Sequence, residues 1–247
     1  MVTWDGTELR APPELAPLAS AQINGIHRDA SGALWFATTQ GLFRLARGQL
    51  YQFGAAAGLR DPRTRLLFET RDGRLLLGTQ SGLYEIAGDR LVALGLEAGL
   101  RPDLDITAIH ELPDGRLAIG SLSEEIFLFD GTRWTRFGQA QGMPVNSAFF
   151  ITDDLGYLWV AGIRGIYRVP LDGMTAVAEG REESVAGEMV LNERGDRRGG
   201  QKGYCCNGAG NAKGFFEDGQ LWLPTRDGSQ SCPSCRNPFA LPAPLQQ

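Results

Sequence analysis

Two sets of polar residues recur at fixed distances from a turn glycine, and they are the first candidates for a binding site. Gln22, Arg63, Asp105 and Asn146 lie ten residues before Gly32, Gly73, Gly115 and Gly156. Thr39, Gln40, Gln80, Ser81 and Arg164 follow the same glycines by seven or eight residues. Amides, hydroxyls and charges of both signs in that arrangement suit recognition of a small polar ligand or a peptide. They contain no nucleophile with a base at hand, so binding rather than catalysis is the expectation.

Other chemistry is thinly supported. The chain has two histidines, His27 and His110, each five residues before its glycine in a column shared with Phe68 and Ile151. A shared column predicts a shared structural role, and repeats one and three are not neighbours that could hold one metal ion. Of the four cysteines, Cys232-Pro233-Ser234-Cys235 offers one CxxC, whereas a zinc ribbon needs two spaced pairs. Adjacent Cys205 and Cys206 cannot readily place both thiolates at corners of one tetrahedron. A disulfide or local cap at Cys205 and Cys206 is the leading reading, ahead of metal binding, given an oxidising compartment. The run Gly208-Ala209-Gly210-Asn211-Ala212-Lys213-Gly214 lacks the Lys-Ser/Thr of a P-loop and the third glycine of a dinucleotide loop. No Gly-x-Ser-x-Gly occurs. Asp153-Asp154 falls where aspartates cap turns, and Glu124-Glu125 stands in place of a turn glycine. No catalytic residue, metal or cofactor is predicted.

Composition narrows the partners. A formal net charge of −5 with scattered arginines excludes a nucleic-acid footprint or a surface for anionic lipid. No apolar run is long enough to span a membrane, and the first residues lack the basic and apolar regions of a signal peptide. Thirty-three glycines and thirteen prolines suit short strands and tight turns.

What positions the polar columns is a repeat. Turn glycines return at Gly32, Gly73, Gly115, Gly156 and Gly219, and the last interval is one period of about 41 residues plus an insertion at about 181–213. Leu34, Leu75, Leu117, Leu158 and Leu221 fall two residues later, and Ala37, Gly78, Gly120 and Ala161 fall five later. Each period reads as four short strands: a before the Asp/Gly turn (Ala21–His27), b (Leu34–Thr38), c (Leu42–Leu45) and d (Leu50–Phe53). Asp172-Gly173 reads as a further c–d turn, and only a marginal stretch around Glu182 to Leu191 has helical periodicity. One such sheet cannot bury both faces, but radially stacked sheets can, so the expected fold is an all-β propeller. Small residues in strand b would let neighbouring blades approach closely. The repeat spans 1–228, with four full blades, a leading half-blade and a trailing half-blade. The halves either pair into a fifth blade or flank a partial ring, and the partial ring is favoured. Residues 229–247 read as an irregular tail, as a frame-shifted end would.

The pattern Asp-x-x-Gly-x-Leu-Trp-x-Ala/Gly-Thr-x-x-Gly-Leu, with later Gly58-Leu59, Gly99-Leu100 and Gly142-Met143, resembles the two-component regulator propeller repeat over roughly residues 15–228. Cys205 to Gly214 leading into Leu221-Trp222-Leu223-Pro224-Thr225 is similar to the last blade of sensory propellers in bacterial membrane receptors. Those receptors carry diguanylate cyclase or histidine kinase outputs. The resemblance implies a non-enzymatic, periplasmic sensory domain that binds a small-molecule or peptide signal and biases a membrane-attached output domain. Propeller lyases of the streptogramin-lyase type share the Asp-x-x-Gly-x-Leu-Trp-Phe rhythm and need a histidine with a carboxylate at the funnel. A protein-interaction scaffold is the third reading.

Overall fold

The computed structural model describes residues 12–144 and 146–192 together with four short strands near the ends. Those are β1 (Thr3–Trp4) with β2 (Leu9–Arg10), and β19 (Phe215–Glu217) with β20 (Gln220–Trp222). Between them stand four antiparallel four-stranded sheets. Blade one is β3 (Ile23–Arg28), β4 (Leu34–Thr38), β5 (Gly41–Ala46) and β6 (Gln49–Phe53). Blade two is β7 (Thr64–Glu69), β8 (Leu75–Thr79), β9 (Gly82–Ala87) and β10 (Arg90–Leu94). Blade three is β11 (Ile106–Glu111), β12 (Leu117–Ser121), β13 (Ile126–Phe129) and β14 (Trp134–Phe137). Blade four is β15 (Phe150–Asp154), β16 (Tyr157–Gly162), β17 (Gly165–Pro170) and β18 (Glu188–Asn192). The strands follow chain order across each sheet, as the repeat predicts. The pairs β1–β2 and β19–β20 are separate sheets, so they do not merge into a fifth blade.

The cores lie between blades rather than within them. Alternate side chains of one strand enter two different cores, because successive residues point to opposite faces. Leu77 joins Trp35, Phe53 and Tyr84 between blades one and two, while its neighbour Leu76 joins Ile106, Ile119 and Phe127 between blades two and three. Ala118, Phe137, Leu158 and Tyr167 close the gap between blades three and four. Burial on both faces explains why these strands read as near-continuous apolar runs. The outer side of blade one is covered by a 3-10 segment, Pro13–Leu18, which buries Leu15 and Leu18 on Phe36 and Phe43.

Close approach between blades depends on the small column. A Cβ added at Gly120 would collide with the Ala148 Cβ, so blades three and four touch nearly backbone to backbone there. The later glycine column is equally constrained. Gly142, at φ 81°, ends a 3-10 turn, and a Cβ there would meet Val185 O.

Blade four departs from the sequence expectation. Its c–d connection contains helix α1 (Leu171–Ala178), which holds Asp172 and Gly173 inside it rather than in a tight turn. Pro170 and acidic Asp172 start the helix, and Met174 enters the core between blades three and four with Leu171, Val177 and Ala178 packed against it. The extra residues therefore begin at 171 rather than about 181. Glu188–Asn192, which overlaps the stretch with helical periodicity, is strand d. Cys205, Cys206, Cys232, Cys235, the glycine-rich run, Gly219 and the tail fall outside the described residues.

Candidate functional site

The predicted columns do share one end of the blades. The backbone N–H of Thr39 donates to Gln22 O (3.0 Å), that of Gln80 to Arg63 O (3.1 Å) and that of Leu122 to Asp105 O (3.0 Å). In blades one to three the b–c loop is thus tied to the entrance of its own strand a, which brings the two columns to the same end of the blade. Gln22, Gln40, Arg63 and Arg164 are exposed, and Thr39, Gln80, Ser81 and Asp105 are half-buried.

A hydroxyl at the end of strand b shapes the loop in blades one, two and three. Thr38 Oγ1 donates to Gly41 O (2.8 Å) and accepts from Gln40 N–H (3.0 Å). Thr79 Oγ1 repeats both bonds with Gly82 O (2.9 Å) and Ser81 N–H (3.0 Å). Ser121 Oγ donates to Glu125 O (3.2 Å), which places Glu125, not Glu124, at the strand-c glycine position. Glu124 is the extra loop residue, in the left-handed region at φ 65°. In blade four the hydroxyl is missing, because Gly162 stands there. Asn146 replaces it, donating through Nδ2 to Gly165 O (3.1 Å) and accepting at Oδ1 from Arg164 N–H (2.9 Å). Asn146 is only 1% exposed, so it braces the loop and does not face the funnel.

Most charges on this surface are already matched. Arg63 bonds Asp61 through Nε (2.8 Å), and that guanidinium holds the Asp61 carboxyl below its usual range. Asp105 receives Nε and Nη2 of Arg65 at 3.0 and 2.8 Å. Arg164 lies 3.6 Å from Glu124 across blades three and four. Gln40 Nε2 donates to Ser20 O at 3.2 Å. The side-chain amides of Gln22 and Gln80 have no hydrogen bond among the described residues, which leaves them able to meet a ligand.

Sequence columns missed the residues that link blades. Strand a skips one residue of the ladder between Ile23 and Gly25, between Thr64 and Leu66, and between Ile106 and Ala108. The bulged residues are Asn24, Arg65 and Thr107, and a bulge re-aims its side chain. Each reaches strand a of the next blade or its entrance: Asn24 Nδ2 to Thr64 O (2.7 Å), Arg65 to Asp105, and Thr107 Oγ1 to Ala148 O (2.5 Å). Their common place, eight residues before Gly32, Gly73 and Gly115, is the signal that could have found them.

The histidines act at the opposite end of strand a, away from the b–c loops. His27 Nε2 lies 2.8 Å from Glu69 Oε2 of blade two, and His110 Nε2 lies 2.6 Å from Asp153 Oδ1 of blade four. Between blades two and three, Arg71 N–H donates to Glu111 Oε2 (2.7 Å). Register places Arg28, Glu69, Glu111 and Asp153 opposite Leu34, Leu75, Leu117 and Leu158. The a–b turn of blade four is thus one residue shorter, and the position equivalent to His27 and His110 is Thr152 rather than Ile151. Among the described residues no group of three or more His, Cys, Asp or Glu side chains is placed to hold a metal ion.

Solved structures with this arrangement are numerous. The extracellular domain of a proposed one component system of B. thetaiotaomicron, BT4673, is 16% identical with a TM-score of 0.58, matching 85% of this chain and 29% of that one. The extracellular domain of a proposed hybrid two component system of the same organism, BT3049, is 19% identical with a TM-score of 0.52, matching 72% of this chain and 24% of that one. A catalytically inactive virginiamycin B lyase from Staphylococcus aureus, with quinupristin, is 13% identical with a TM-score of 0.55, matching 87% of this chain and 66% of that one. These likenesses show a β-propeller fold. The chain spans less than a third of the length of either B. thetaiotaomicron domain. No protein-family model and no curated protein matches it.

Proposed function

We propose that this chain is a signal-binding propeller region of a bacterial extracytoplasmic receptor, of the two-component or cyclic-di-GMP signalling type. The observation that carries the reading is the polar end of the blades at the b–c loops, where backbone bonds hold Thr39 to Gln22 in blade one and Gln80 to Arg63 in blade two, with Gln40 beside Thr39. A small polar molecule or a peptide bridging several loops would set the angles between blades, since Arg65 and Thr107 tie this same end of strand a to the next blade. The output domain, a diguanylate cyclase or a histidine kinase in the receptors that the repeat resembles, would read that change across a membrane. No helix among the described residues is long and apolar enough to cross one.

The lyase reading needs a histidine and a carboxylate at the funnel. Both histidine–carboxylate pairs are instead interblade ties at the other end of strand a, which favours binding over turnover. A thermal-shift screen of polar metabolites and short peptides tests the proposal. A ligand at 100 times its dissociation constant stabilises the folded state by about 2.7 kcal/mol. That shift should vanish in the Gln22→Ala/Gln80→Ala double variant. A shift that survives the double variant, or a response to folded protein partners alone, contradicts the reading and in the second case favours a scaffold.

A further inference from the structure

Trp35 and Trp159 hold equivalent places in strand b of blades one and four, and each carries an arginine of strand c on its ring. Arg44 is 5.1 Å from the Trp35 ring centre, and Arg168 is 5.5 Å from that of Trp159. In both blades the arginine is the ladder partner of the tryptophan. Blade four completes the motif internally. Glu188 of strand d stands opposite Arg168, and its Oε2 lies 2.9 Å from Nε and 2.8 Å from Nη2.

Blade one lacks that last member. The strand-d residue opposite Arg44 is Tyr51, whose hydroxyl donates to Gln49 Oε1 at 2.5 Å. Arg44 Nε is buried with no hydrogen-bond partner. Its Nη2 comes no closer than 3.8 Å to Asp29, whose oxygens already accept from Ser31, Ala33 and Trp35. A shielded guanidinium N–H without an acceptor is costly and rare in folded proteins. Arg44 borders an open cleft of about 1010 Å3, lined also by Ser31, Arg47, Tyr51, Gln52 and Asp89. Arg47, which also lines the cleft, has no ion pair among the described residues. Of the charged side chains that line the cleft, two are guanidinium groups, Arg44 and Arg47, and one is a carboxylate, Asp89.

We propose that this cleft binds a small organic carboxylate, whose oxygens meet the terminal nitrogens of the Arg44 guanidinium, a side chain that is 32% exposed, in the place that Glu188 takes beside Arg168 in blade four. Paired N–H donors on a fixed plane match a carboxylate better than any neutral group. The half-exposed ring of Tyr51 gives the carbon part of the ligand an apolar surface. This site is separate from the b–c loop surface and does not depend on it.

The test is calorimetric titration with sodium glucuronate, glutamate and benzoate, and with glucose as the neutral probe. At least one carboxylate should bind while glucose does not. The Tyr51→Glu variant supplies in blade one the carboxylate that blade four already has. It should keep or raise the melting temperature and weaken carboxylate binding about tenfold or more, as should Arg44→Gln. If none of the three carboxylates binds the wild type, the inference is overturned. Equal affinity in wild type, Tyr51→Glu and Arg44→Gln overturns it as well. Glucuronate alone would mark a sugar acid, glutamate alone an amino acid and benzoate alone an aromatic acid.

Discussion

Asn146 fits its place because Gly162 has no side chain. A Cβ on Gly162 would come within 2.5 Å of Asn146 Oδ1 and closer still to Ser147 O. The pair replaces the single threonine that braces the b–c loop in blades one and two, moving the polar group from strand b to the entrance of strand a. Gly162→Ala should therefore destabilise the protein by about 1–3 kcal/mol through overpacking. Urea unfolding measures this, and an unchanged midpoint would contradict the contact.

The bulge arginine supports a second prediction. Arg65 and Asp105 are about 30% and 19% exposed and meet through two bonds. Allowing for partial solvent screening, Arg65→Ala should cost about 1–2 kcal/mol. Arg65→Lys should recover only part of it, because an ammonium cannot make the forked contact. Hydrogen exchange should then rise in β7 and β11 before it rises in β4.

The histidine ties differ in depth. The His110 side chain is 9% exposed and that of His27 is 22%. Asp153→Asn should thus destabilise more than Glu69→Gln, the first by about 1.5–3 kcal/mol. A double-mutant cycle between His110 and Asp153 should give a clear coupling energy. Independent effects would sink the assignment of this pair as a link between blades.

Acid stability should follow the turn aspartates. Asp130 accepts from the N–H of Arg133 (2.9 Å), the Thr132 hydroxyl (2.7 Å) and the Thr132 N–H (2.8 Å), and its carboxyl is pushed down from 3.8 to about 2. Asp61, held by Arg63, is lowered too. Asp29 is lowered although burial pushes it up, because the hydrogen bonds from Ser31, Trp35 and Ala33 outweigh that burial. A folded-state value below the unfolded one gives stability that is present above the unfolded value and lost as pH falls through the folded one. Stability should stay level above about pH 4 and fall towards pH 2. Asp130→Asn should flatten that fall, as acid titration followed by circular dichroism would show.

The sequence made the blades legible because each turn glycine and each strand-b leucine answers to a local demand. Leu34–Thr38 was placed to the residue, and β3, β5 and β6 within a residue or two. What it hid were changes of one residue in loop length. Alignment on Gly156 matched Ile151 to the histidines because the shorter a–b turn of blade four cannot be seen from the glycine. The longer loop of blade three likewise concealed that Glu125, with Arg136 at 2.6 Å and Arg101 at 3.3 Å, fills the glycine position. Interblade ties such as Arg65–Asp105 escaped because they join residues 40 apart through a bulge. Helix α1 escaped because eight residues give too little periodicity to register.

Recovering bound ligand intact most directly tests the claim that the b–c loop surface receives a signal. Molecules that raise the melting temperature of the wild-type protein, but not of the Gln22→Ala/Gln80→Ala variant, would be incubated with it and recovered for mass spectrometry. The account predicts recovery unchanged, with or without His27 and His110. A ligand recovered as a product, with conversion lost in the His27→Asn/His110→Asn variant, would contradict it and make the propeller an enzyme.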